Sequence, residues 1–158
     1  MDLLLVRHAQ AVPRAADASG MRDAARRLTK RGRDQLSRTV RGLERLGLTF
    51  DRILYSPKLR SIETANALSS LLNGESTVTR LLCVPPSDQL LAEIHGERVA
   101  VVGHEPHLSA LVAMLAGAPV SIRLKPSGVA WLDGDPRPGG MRLRALLPPR
   151  VLRALANR

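Results

Sequence analysis

The sequence predicts an α/β fold, a three-layer sandwich in which a mostly parallel central sheet is flanked by helices. Three observations carry that expectation. Short apolar runs recur along the 158 residues, helical amphipathic patterns alternate with them, and Gly, Pro, Ser or Thr stands at most junctions. A chain of this length suits one domain, residues 1–158, able to bury about 68–70% of its unfolded surface.

Each element follows from its residues. Leu3 to Val6 is an uninterrupted apolar run, the pattern of a strand covered on both faces. The polar, Ala-rich stretch from Ala9 to Arg27 is long for a loop and therefore either functional or mobile. Thr29 is a good N-cap, and Leu36, Val40, Leu43 and Leu46 keep one apolar face until Gly47 stops the helix. Arg52 to Tyr55 reads as a second strand. Ser56-Pro57 then gives an N-cap with Pro at the first helical position, and Leu59, Ile62, Ala65, Leu68 and Leu72 continue that helix toward Gly74. Thr77 to Leu82, rich in β-branched residues, predicts a third strand, and Leu90, Leu91 and Ile94 a short helix. Val99 to Val102 is another buried strand. Leu108, Leu111, Val112 and Leu115 share one helical face up to Gly117. Two further strands, Val129 to Leu132 and Met141 to Leu147, precede a short helix near Val151 to Leu155. Apart from Ala9 to Arg27 the connections are short, so no lid subdomain is expected.

Composition narrows the function classes. There are 24 Lys plus Arg against 14 Asp plus Glu, a formal charge of +10, and half of the basic residues lie between Arg22 and Arg60. Nucleic acid would be one partner for such a surface. Phe50, Tyr55 and Trp131 are the only aromatic residues, too few and too scattered for a base-stacking platform, so a solvated basic face is the stronger reading. No apolar run approaches the ~20 residues of a membrane span, and the N-terminus lacks the pattern of a signal peptide. Cys83 is the single cysteine, which forbids an internal disulfide. A cytoplasmic monomer with no membrane partner is the expectation.

Three polar clusters fall at the carboxyl ends of expected strands: Arg7-His8, Ser56-Pro57-Lys58-Leu59-Arg60, and Gly103-His104. Ligands bind at that edge of an open α/β sheet. Two arginines and two histidines meeting there read as a phosphate site, since guanidinium groups clamp phosphoryl oxygens in bidentate fashion and a histidine can take the phosphoryl group and yield it to water. The helix after Pro106 would aim free N–H groups at the same place. His104 and His107 have a metal-ligand spacing, yet only Glu105 stands by to complete such a set, so neither metal nor cofactor is expected. His95 reads as exposed, Cys83 as a small buried hydrophobe, and Lys125 as surface.

Leu5-Val6-Arg7-His8-Ala9 resembles the R-H-G signature of the histidine phosphatase (phosphoglycerate-mutase-like) superfamily, with Ala9 in place of the usual Gly. Leu28-Thr29 followed by Gly32, Ser56 through Ala65, and Val102-Gly103-His104-Glu105-Pro106 follow in the order and approximate spacing of the short branch typified by the SixA phosphohistidine phosphatases. The resemblance covers Leu3 to about Leu115. It implies a phosphoglycerate-mutase-like fold, with His8 as the phosphorylated nucleophile and Arg7, Arg60 and His104 binding the phosphoryl oxygens. Ser56 is a further phosphate-binding candidate, although an N-cap role already accounts for it.

Larger members of the superfamily carry an acidic proton donor after the third strand. Here that segment offers only Asp88 and Glu93, outside any recognisable signature, and Glu105 is the remaining candidate proton donor. The resemblance implies a metal-independent phosphatase acting on a phosphohistidine-bearing protein, a phosphotransfer domain or phosphocarrier, with Arg22, Arg26 and Arg27 at the rim to steer an acidic partner. The alternatives are a phosphatase of a small phosphomonoester, such as a sugar phosphate or nucleotide, and a non-catalytic binder of phosphoproteins or nucleic acid.

Overall fold

A computed structural model describes residues 1–14, 22–119 and 121–157. The part of the Ala9–Arg27 stretch between 15 and 21 lies outside them. The strands are β1 (Asp2–Arg7), β2 (Phe50–Tyr55), β3 (Leu72–Val78), β4 (Arg98–Gly103), β5 (Val129–Gly134) and β6 (Met141–Leu147). The helices are α1 (Lys30–Arg45), α2 (Leu59–Leu68), α3 (Asp88–Glu93), α4 (His107–Ala116) and α5 (Pro149–Leu155).

One six-stranded sheet runs in the order β3-β2-β4-β1-β5-β6. The first four strands are parallel, whereas β5 pairs antiparallel with β1, and β6 antiparallel with β5. Alternate residues of the central strands feed two cores. Leu3, Leu5, Val99 and Val101 pack against α3 and α4 on one face, while Leu4, Val6, Ala100 and Val102 pack with residues of α1, α2 and α5 on the other. Continuous apolar runs are therefore required in β1 and β4, and each fully buried Leu or Val there contributes about 1.5–3 kcal/mol.

The register sets the site. Arg7 stands opposite Gly103, and Tyr55 opposite Val102, so β1, β2 and β4 end at the same level and release His8, Ser56 and His104 side by side. Two glycines let helices approach closely enough to hold that edge. A Cβ on Gly32, in the first turn of α1, would come within 2.1 Å of the Gln10 carbonyl oxygen, and one on Gly42 within 2.1 Å of the Leu152 carbonyl oxygen in α5.

Two local expectations need correction. The third strand spans Leu72–Val78, not Thr77 to Leu82, where Arg80–Cys83 forms a 3-10 turn. β3 is an exposed edge strand, so no apolar run marks it, and Gly74 lies within it because a side chain there would strike the Asp51 carbonyl. Helix α2 begins at Leu59 with Lys58 as its N-cap, which leaves Ser56 outside the helix.

Candidate active site

His8 follows β1 and is 8% exposed. Its backbone N–H donates to the Gly103 carbonyl, continuing the β1–β4 ladder by one residue. Its ring Nδ1–H donates to the carbonyl of Ala9 at 2.8 Å, which fixes the tautomer and leaves the Nε2 lone pair facing the cavity, where the Arg60 Nε–H reaches it at 3.3 Å. Burial, with Arg60, Arg7 and Arg26 nearby, lowers the His8 pKa to about 4 despite the opposing Ala9 bond, so the ring is neutral near pH 7.

Ala9 is itself clamped. Its N–H donates to the Thr64 hydroxyl at 3.0 Å, and that hydroxyl donates to the Arg60 carbonyl at 2.7 Å, tying the segment after His8 to the first turns of α2. Ala9 is fully buried, and it is not in the left-handed region, so alanine fits without backbone strain. Segment 124–128 closes the other side. Arg7 donates Nη1–H to the Leu124 carbonyl at 2.7 Å, and the Ser127 N–H reaches the carbonyls of Arg7 and His8.

His104, 6% exposed, lies with its ring centroid 5.1 Å from that of His8. Burial, then the nearby His8, Arg60 and Lys58, lower its pKa to about 3. Ser56 Oγ lies 2.5 Å and Ser61 Oγ 3.4 Å from His104 Nε2, while Nδ1 is buried with no partner among the described residues. Ser56 thus orients His104 and is no N-cap.

Arg7, His8, Arg60 and His104 line one cavity of about 250 Å³, together with Lys58, Arg14, Arg26, His107, Cys83, Glu105 and Asp23. Cys83 is accordingly half-buried at the cavity wall, not packed in the core as expected. Asp23, in a 3-10 turn at Asp23–Ala25, was not anticipated. Its carboxylate accepts from Lys58 at 2.8 Å, Arg26 at 2.9 Å and Arg60 at 3.2 Å, and pairs with Arg14 at 3.2 Å. These partners outweigh its desolvation and hold it well below the usual carboxylate range. The sequence signal was a single acid set among Arg22, Arg26 and Arg27.

Glu105 also faces the cavity, but both carboxylate oxygens accept from Ser109 Oγ, and one accepts from the Leu124 N–H at 2.9 Å. Glu63, equally unanticipated, receives the Leu28 N–H at 2.6 Å and fixes the approach to α1. Arg26 lines the cavity, whereas Arg22 and Arg27 are exposed beside it; Asp88 and Glu93 lie on α3, away from the cavity lining. Among the described residues no three His, Cys, Asp or Glu side chains group as metal ligands.

A model of the histidine phosphatase superfamily, branch 1, matches residues 3–83, more than half of the chain. The chain belongs to the histidine phosphatase superfamily. Within the superfamily it aligns with the SixA-type branch. A SixA protein histidine phosphatase solved with tungstate superposes with a TM-score of 0.79 at 26% identity, covering 96% of this chain and 99% of that one. A protein of Agrobacterium tumefaciens assigned as SixA gives 0.74 at 25% identity over 92% and 96% of the two chains. The alpha-ribazole phosphatase of Shigella flexneri shares the fold at 20% identity and a TM-score of 0.69, over 94% and 97%. The superfamily fold and its phosphatase chemistry thus account for cationic and imidazole groups collected at the carboxyl edge of the sheet.

Proposed function

We propose that the protein is a phosphohistidine phosphatase, which removes phosphate from a histidine of a phosphorylated protein through a covalent intermediate on His8. The supporting observation is the protonation pattern of the cavity. It offers a neutral imidazole whose unprotonated Nε2 meets only the Arg60 Nε–H, cations for the phosphoryl oxygens and, among the described residues, no carboxylic acid poised to protonate an alkoxide. Asp23 is held ionised by its cationic partners, and the oxygens of Glu105 are engaged with Ser109 and Leu124. We therefore assign Glu105 to positioning the 122–124 segment beside Arg7.

That pattern suits a nitrogen leaving group. A phosphoimidazole protonated on its distal nitrogen departs as neutral imidazole and needs no acid at the bridging atom, whereas an alkoxide does. His8 Nε2 attacks phosphorus as the substrate N–P bond breaks, and the electron pair leaves with the substrate imidazole. Water then attacks phosphorus, the Nε2–P bond breaks, and inorganic phosphate departs with His8 again neutral. Arg7, Arg60 and His104 bind the equatorial oxygens, where negative charge is spread during transfer. Ser56 acts by holding the His104 ring in place. That a SixA relative binds tungstate, a tetrahedral oxyanion, supports oxyanion binding by this chain.

No step calls for a metal, and full activity in EDTA is expected. The deciding experiment compares catalytic efficiency on histidine-phosphorylated proteins with that on sugar phosphates, nucleotides and p-nitrophenyl phosphate. Far higher efficiency on the phosphohistidine protein is expected; equal or better efficiency on one small ester would assign the same pocket to a small phosphomonoester.

A further inference from the structure

The cavity that holds His8 continues beyond Arg7. Arg7 and Glu105 also border a shallow depression over Pro106 and Ser109, which ends at Ile122 and Arg123. Those two residues in turn begin a groove of about 460 Å³ between segment 122–129, the end of β6 and the start of α5. Its lining is divided by chemistry. Leu124, Val129, Leu147 and Pro149 are among the apolar groups, Leu146 is 43% exposed there, and Arg123, Lys125, Arg150 and Arg153 supply the charges. No acidic residue lines it, and none of these four cations has an acidic partner among the described residues.

We propose that this groove docks an acidic amphipathic segment of the protein substrate, with its apolar side on the leucines and its carboxylates against Arg123, Lys125, Arg150 and Arg153. The inference rests on the phosphohistidine reading and extends it from the phosphoryl group to the protein that carries it. Continuity with the cavity is the first argument, because a protein seated in the groove has its neighbouring surface over Arg7 and His8. Charge complementarity is the second: four cations without an acidic partner among the described residues, beside the exposed Leu146 and half-buried Leu147, match a ligand that is both acidic and apolar. Nucleic acid fits less well, since no aromatic ring lines the groove for stacking and its apolar floor offers nothing to a phosphate backbone. A second copy of this chain, at +10, would meet the groove with like charge.

The test uses the full chain carrying R150E and R153E together, and separately Leu146→Asp, none of which touches the phosphate cavity. Steady-state kinetics are measured on a histidine-phosphorylated phosphocarrier protein and on phosphoramidate. Both variants should lose at least tenfold in kcat/KM on the protein, through KM, while kcat/KM on phosphoramidate stays within twofold of wild type. Added salt should weaken wild-type action on the protein more than that of the double charge reversal. Unchanged KM for the protein in both variants would overturn the proposal, as would equal losses on both substrates. Nucleic-acid binding that the charge reversals abolish without changing protein kinetics would assign the groove to nucleic acid instead. If wild type acts no better on the protein than on small esters, the phosphohistidine reading fails and the docking role with it; preference for the protein that survives both variants removes the docking role alone.

Discussion

At the scale of single residues, the environment of His8 determines whether it can act as a nucleophile. The Ala9 carbonyl holds its Nδ1 proton, and burial among arginines keeps the ring uncharged to about pH 4. An NMR titration of the free protein should therefore place the His8 midpoint near pH 4, and the acid limb of kcat/KM, corrected for substrate ionisation, should fall there. A midpoint near the ordinary 6.5 would remove the electrostatic part of this account. Arg60 presents a second residue-scale test. In the proposed mechanism its removal deletes a phosphoryl-oxygen donor, a loss of about 2.7–4 kcal/mol by comparison with a single oxyanion donor, so Arg60→Ala should lower kcat by about 10²–10³. Asp23 behaves oppositely. Its carboxylate occupies Arg60 and Lys58, where a phosphate would compete for them, and Asp23→Asn should bind tungstate several-fold tighter by calorimetry. Weaker binding would mean that Asp23 organises these cations for the ligand.

At the scale of elements, close backbone packing holds the cavity wall in place. Gly42 lets α1 lie against the Leu152 carbonyl of α5, and a methyl group there must push the two helices apart. Gly42→Ala should cost about 1–3 kcal/mol in denaturant unfolding, as overpacking does, against the small gain expected for this change in an open helix. Stabilisation would show that α5 adjusts freely. These contacts also mark what the sequence could and could not convey. β1 and β4 were legible because both faces are buried, and Arg7, His8, Arg60 and His104 because they sit in compact motifs at strand and helix ends. β3 was not, since Asn73, Gly74, Glu75 and Ser76 form an exposed edge whose place is set by pairing with β2. Ser56 had two local roles open to it, and only the approach of β4 gives it His104 as a partner. Asp23 and Thr64 escaped because the contacts that bring them to the site, to Lys58 and to the Ala9 N–H, lie 35 and 55 residues away in sequence.

At the scale of the whole molecule, the cavity makes stability depend on pH. His8 and His104 have folded pKa values of about 4 and about 3, below the 6.5 of a free imidazole, so between these limits the unfolded chain binds more protons. Stability should fall as pH drops from about 6.5 toward 4, and Asp23, whose carboxyl is held below 3.8, adds a loss in the same direction at lower pH. His104→Asn should flatten the dependence of unfolding free energy on pH between 6.5 and 4; a slope equal to wild type would contradict the burial of a neutral ring. Such a cost makes sense if the cavity serves catalysis, and the most direct measurement asks whether phosphate passes through His8. The protein is mixed with a histidine-phosphorylated phosphocarrier, quenched in alkali within one turnover, and digested for mass mapping. An acid-labile phosphoryl group on the peptide bearing His8, absent from His8→Ala together with turnover, is the predicted result; wild-type turnover in His8→Ala would contradict it.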